Sequence, residues 1–97
     1  MFTRVTMNQI KPDQIEAAVR TFRDMVGPAS KKMKGFKGSY FLADRKTGKI
    51  LGVALWNKKE DLEASDKVAA EIRSQIWHAS AAPSTGTVEI YEVASQF

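Results

Sequence analysis

One histidine, two tyrosines, a polar strand face and a tryptophan at the end of an apolar run are the side chains here whose types suit chemistry. His78 is the one group whose ordinary pKa suits proton abstraction near neutral pH. Placed at the end of a helical segment, it is also suited to complementing the helix dipole. Tyr40 and Tyr91 can donate to a bound carbonyl or sit amphipathically at an edge. Arg4, Thr6 and Asn8 alternate along the first segment and so share one face of a strand. They could line a cavity or bind an oxyanion, but the expectation for so polar a face is exposure to solvent or at the rim of a dimer. Trp56 closes the stretch from Ile50 to Trp56, which is apolar at every position. Its ring can stack on a flat ligand while its indole N–H donates to a carbonyl, or it can simply plug a core. Gly52 and Ala54 share its face, and their near absence of side chain either leaves room for a ligand or lets a helix approach.

The elements that position these residues follow from the pattern. Phe2 to Gln9 alternates as a strand, with Thr3, Val5 and Met7 on one face and Phe2, Arg4, Thr6 and Asn8 on the other. Pro12 opens a helix whose stripe is Ile15, Ala18, Val19, Phe22, Met25 and Val26, and Gly27-Pro28 is expected to end or kink it. Met33 and Phe36 anchor a basic, glycine-punctuated connection. Ser39 to Ala43 is a second strand, Asp44 to Lys49 a hairpin turning at Gly48, and Ile50 to Trp56 a third strand. Asn57 with Glu60 three residues later reads as a capping box, with Asp61 adding favourable first-turn charge. The helix it starts has its seam at Leu62, Ser65, Ala69, Ile72 and Ile76 and is expected to run unbroken to about His78. After a loop from Ala81 to Gly86, Thr87 to Val93 forms the last strand.

Strand, helix, strand, strand, helix, strand in one domain of 97 residues most simply gives an α+β, ferredoxin-like βαββαβ fold. Its four-stranded antiparallel sheet would carry both helices on one face, with the third strand central beside the first. Two helices cover only one side of the Ile50 to Trp56 strand. Leu51, Val53 and Leu55 on its other side call for a second cover, and a twin subunit packed sheet to sheet is the simplest.

Composition narrows the function classes. There is no cysteine and only one histidine, so no thiolate or multi-histidine metal site is expected. No apolar run is long enough to span a membrane, which makes a soluble cytoplasmic protein with no membrane partner the default. Lys and Arg number 15 against 11 Asp and Glu, a net charge of +4, and nine of the bases fall between Lys31 and Lys59. Without stacking aromatics interleaved on a strand face, this excess reads as a solvated rim and not as a nucleic-acid surface.

The stretch GFKGSYFLADRKTGKILGVALWNKKEDLEAS, followed by the closing VEIYEV, resembles the antibiotic biosynthesis monooxygenase family of dimeric α/β barrels. The likeness covers nearly the whole chain, and its motifs are specific to the fold and only weakly to a reaction. It implies a homodimer, with a small aromatic or quinonoid molecule between sheet and helices and oxygenation without a cofactor. The alternative it leaves open is a non-catalytic dimer that binds or senses a metabolite in the same pocket, and a third is a structural dimer with a solid core. On the first reading Trp56 matches the family's strand-end tryptophan and orients the substrate, with His78 as the other catalytic candidate and Arg4, Asn8, Tyr40, Gly52, Ala54 and Tyr91 as substrate contacts. Ser65 and Gln75 stand where haem-degrading members carry their tryptophan and axial histidine, so haem is not implied. Gly52 stands where quinone-forming members carry an asparagine.

Overall fold

The computed structural model describes residues 1–97. In chain order it comprises β1 (Phe2–Gln9), a short 3-10 turn (Pro12–Gln14), α1 (Ile15–Ser30), β2 (Phe36–Ala43), β3 (Lys49–Trp56), α2 (Lys59–Ala64), α3 (Asp66–Ala79) and β4 (Thr87–Glu92). The strands form one antiparallel sheet in the order β2-β3-β1-β4. This is the ferredoxin-like α+β arrangement, with β3 and β1 at its centre. Ile10, Ile15, Ala18, Ile50, Ile72 and Ile76 make the core, packed by Val19, Phe22, Met25 and Val26 from the stripe of α1.

The two faces of the sheet differ. Arg4, Thr6 and Asn8 of β1 and Ile50 and Trp56 of β3 are buried, whereas Val53, Leu51 and Leu55 between them are half-buried. The helices therefore cover the face that carries Trp56. They also cover the polar face of β1, which overturns its expected exposure: Arg4, Thr6 and Asn8 are 5, 7 and 5 % exposed. Burial is tolerated for Arg4 and Asn8 because their polar atoms find partners across the chain, as described below.

The hairpin between β2 and β3 turns where expected. Gly48 has φ +83°, and a Cβ there would lie 1.9 Å from the carbonyl oxygen of Ile10, so only glycine fits.

Four local expectations are corrected. Helix α1 continues through Gly27-Pro28 to Ser30; proline removes one ladder donor, and the Ser30 hydroxyl donates to the Gly27 carbonyl at 2.8 Å, steadying the last turn. Strand β2 begins at Phe36 and not Ser39, with a register shift between Phe36 and Gly38. The Asn57 cap does not form: Lys58 occupies the N-cap with no side-chain bond, and the Asn57 N–H donates to the Gly35 carbonyl at 2.8 Å. Finally, the second helix is two. At Ser65 the chain breaks between α2 and α3. The Leu62 carbonyl there accepts from the Ser65 hydroxyl at 2.6 Å and from Arg4 Nη2 at 3.0 Å, so a side chain from β1 holds the break.

Candidate functional site

An apolar cavity of about 90 Å³ lies between the helices and the centre of the sheet, and 14 of its 19 lining residues are hydrophobic. Trp56, last in β3, is 1 % exposed. The ring of Phe36 stands edge-on to it at a centroid distance of 5.1 Å, fixing the indole plane. Its Nε1 is buried and donates to nothing. An unpartnered buried donor is costly unless something else meets it.

Gly52 and Ala54 line the same cavity. The nearest atom to a Cβ at Gly52 would be Thr6 Cβ at 3.9 Å, so the missing side chain is space and not a tight approach. The volume is below the roughly 150 Å³ that holds a benzene ring in an apolar protein cavity. A ring therefore enters only as flexible lining side chains, of which Met33 is one, give way.

Two arginines supply the only charges of the lining. Arg4 Nη2 donates to the Leu62 carbonyl at 3.0 Å, to Ser65 Oγ at 3.2 Å and to the Asp66 carboxylate, with which it forms an ion pair. Its donors are thus directed at the helix break. Arg73, on α3, is half-buried and its Nη1 is buried without a partner. Desolvation lowers its pKa from the ordinary arginine value, the nearby Arg4 charge lowers it further, and Asp66 offsets part of this.

Arg73 is absent from the candidates that residue type alone suggests, yet the sequence holds a signal for it. Ala69, Ile72, Arg73, Ile76 and Trp77 fall at three- and four-residue steps and all reach the cavity, so one charge sits inside an apolar helical stripe.

The remaining candidates lie elsewhere. Asn8 Nδ2 donates to the Ser84 carbonyl at 3.0 Å, and its Oδ1 accepts from Ser84 Oγ at 3.1 Å and from the Gln9 N–H at 2.8 Å. It ties the loop before β4 to β1 and does not line the cavity. Tyr40 and Tyr91 are exposed on the uncovered face of the sheet, paired in register with Val53 and Thr3. Hydrogen bonding to Glu89, and then the charge of that carboxylate, hold the Tyr91 hydroxyl above the ordinary tyrosine value. His78 is exposed and lines a separate, open polar groove of about 570 Å³ with Ser84. Arg73 and Trp77 are common to cavity and groove. The structure thus brings Trp56, Arg4, Gly52 and Ala54 together and leaves Asn8, Tyr40, Tyr91 and His78 outside.

No family model matches the sequence. Over 95 residues it is 30 % identical to the uncharacterized protein Rv2557 of Mycobacterium tuberculosis, a match covering 98 % of this chain and 42 % of that protein. The chain thus spans about two fifths of the length of the curated relatives it matches. A monooxygenase from the gene ActVA-Orf6 of Streptomyces coelicolor, solved with the ligand Nanaomycin D, superposes with a TM-score of 0.81 at 14 % identity, covering 99 % of this chain and 89 % of that one. SnoaB, a cofactor-independent oxygenase from Streptomyces nogalater solved as a point mutant, gives a TM-score of 0.64 at 13 % identity, covering 98 % and 94 %.

Proposed function

Because the chain has the fold of the antibiotic biosynthesis monooxygenase-type structures, we propose that it is a cofactor-independent monooxygenase acting on a small aromatic or quinonoid molecule held against Trp56. The observation that carries this reading is the buried, unpartnered Nε1 of Trp56 in the wall of an apolar cavity. Oxygenation without a cofactor needs a substrate that, once deprotonated, passes an electron to dioxygen itself. The protein then contributes a dry, oriented site. Phe36 and Trp56 offer ring faces and edges, Gly52 and Ala54 offer room, and the indole N–H offers one fixed hydrogen bond to a substrate oxygen.

A second reading rests on its own observation. No proton-accepting ionisable side chain lines the cavity, whose only ionisable residues are Arg4 and Arg73, and His78 lies in the outer groove. That composition equally suits a non-catalytic dimer that binds or senses a metabolite.

In either case the working unit is read as a homodimer of soluble, cytoplasmic subunits. Tyr40 and Leu42 are 60 and 47 % exposed on the same sheet face as the half-buried Leu51, Val53 and Leu55. An apolar face of this kind is covered at least cost by its own copy about a two-fold axis.

The deciding experiment is dioxygen uptake with a panel of anthrones and hydroquinones, comparing wild type with Trp56→Phe. An oxygenase consumes dioxygen with at least one substrate, and loss of the indole donor slows it about 10- to 100-fold. Binding without uptake leaves the binder. If the panel is neither bound nor oxidised, both readings fall.

A further inference from the structure

Beside the hydroxyls of Thr6 and Ser39, which can donate or accept, the cavity lining holds two buried polar atoms without a partner, and these are of one kind. Nε1 of Trp56 and Nη1 of Arg73 are buried and unpartnered, and both groups can only donate. The other guanidinium, Arg4, is taken up by Leu62, Ser65 and Asp66. Two positive charges therefore meet a single carboxylate, that of Asp66, and no acidic side chain lines the cavity. The site is short of one negative charge.

The surroundings carry mostly the same sign, although the Asp61 carboxylate packs against Gly35. Met33 and Phe36, both in the lining, belong to a segment in which Lys31, Lys32, Lys34 and Lys37 are exposed. Clustered like charge beside a low-dielectric cavity concentrates counter-ions at its mouth.

We infer that the cavity's ligand is a small organic acid bound as its anion, a carboxylate or phenolate on an apolar body, and that Arg73 is the residue that selects the ionised form. This rests on the reading of the cavity as a ligand site, and it deepens that reading by fixing the charge of the occupant. It also assigns the proton. With no base in the lining, the acid is ionised in solution before it enters, and the cavity selects the anion already formed. The apolar wall then discriminates against the neutral form, whose oxygen can still accept from Arg73 but leaves the guanidinium charge uncompensated and the bond without its charge assistance.

The test uses benzoate and its neutral analogue benzamide for the carboxylate case, and 4-nitrophenol, whose visible absorption reports its own ionisation, for the phenolate case. Binding is followed by the indole N–H resonance of Trp56, assigned with Trp56→Phe. Wild type binds benzoate at least about tenfold more tightly than benzamide, or lowers the pKa of bound 4-nitrophenol by about one unit or more. Arg73→Met brings the benzoate preference to within about twofold and Arg73→Lys keeps part of it.

The charged or titratable groups around Arg73 are Arg4 on β1, Asp66 on α3 and, across the groove, His78. His78→Gln leaves the preference unchanged, and affinity rises with pH only through the ligand's own ionisation.

Equal binding of charged and neutral probes by wild type, or a preference that persists in Arg73→Met, overturns the inference alone. Absence of binding by every probe overturns the ligand-site reading with it. Should Arg73→Met fail to fold, the wild-type probe pairs and Arg73→Lys still decide.

Discussion

Arg4 and Leu62 stand 58 residues apart, and the guanidinium of the first donates to the carbonyl of the second at 3.0 Å. The bond joins the central sheet to the point where α2 gives way to α3, so strand and helix break are one unit. Arg4→Met removes three donor interactions from a side chain that is 5 % exposed and is expected to cost about 2–3 kcal/mol. Asp66→Asn keeps an oxygen acceptor at a position whose side chain is 61 % exposed and is expected to cost about 1 kcal/mol or less. Urea midpoints at constant slope measure both, and equal losses would show that the ion pair, not the carbonyl bond, carries the effect.

Two glycines respond to very different degrees. At Gly48 a methyl group meets the Ile10 carbonyl oxygen at 1.9 Å with φ +83°, so Gly48→Ala is expected to destabilise by about 2–4 kcal/mol. At Gly27, inside α1, a Cβ meets nothing within 4 Å beyond its chain neighbours. Gly27→Ala gains helix propensity but sets a Cβ before Pro28, whose ring disfavours helical backbone in the preceding residue, so the two effects are expected to offset to within about 0.5 kcal/mol, read as a melting temperature moved by no more than a few degrees.

Filling the cavity separates binding from stability. Gly52→Val adds volume where the nearest neighbour of the new Cβ is 3.9 Å away, and it replaces a strand glycine with a β-branched residue. Stability is expected to stay within about 1 kcal/mol of wild type or rise. Binding of an aromatic probe, followed by calorimetry, should weaken by about tenfold or more. A variant that binds undiminished would place the ligand outside this cavity.

Charge on the open face of the sheet tests the assembly. Wild type is expected to sediment at twice the 10.8 kDa chain mass, and Val53→Asp to sediment as a folded single chain with unchanged far-ultraviolet dichroism. Wild type found only as a single chain at micromolar concentration would remove the dimer.

How much of this was legible in the sequence differs by element. Alternation places β1 and β4 and an unbroken apolar run places β3, because apolar patterning records which side of an element loses water, whereas β2 is legible only from Ser39, its start lying beyond the register shift between Phe36 and Gly38. The capping box of Asn57 failed because the helix starts one residue later, with Lys58 at the N-cap, and the N–H that Glu60 would have met donates to the distant Gly35 carbonyl. The break at Ser65 was hidden for a like reason: Arg4, the side chain that bonds across it, is far away in the chain. Trp56, Gly52 and Ala54 could be placed together because strand neighbours of one parity must share a face. The buried polar face of β1 could not be foreseen by hydropathy, which scores Arg4 and Asn8 by their heads and is blind to the partners that satisfy them. Arg73 carried a signal of its own, a charge out of place in an apolar stripe.

Arg73 and Trp77 line both the dry cavity and the wet groove. They are the side chains that the smaller space and the larger one have in common, and both stand on one turn of α3. Shortening either is expected to join the two spaces with the backbone untouched. The room this chain offers a molecule is thus open to change at two positions of one helix while the sheet stays as it is.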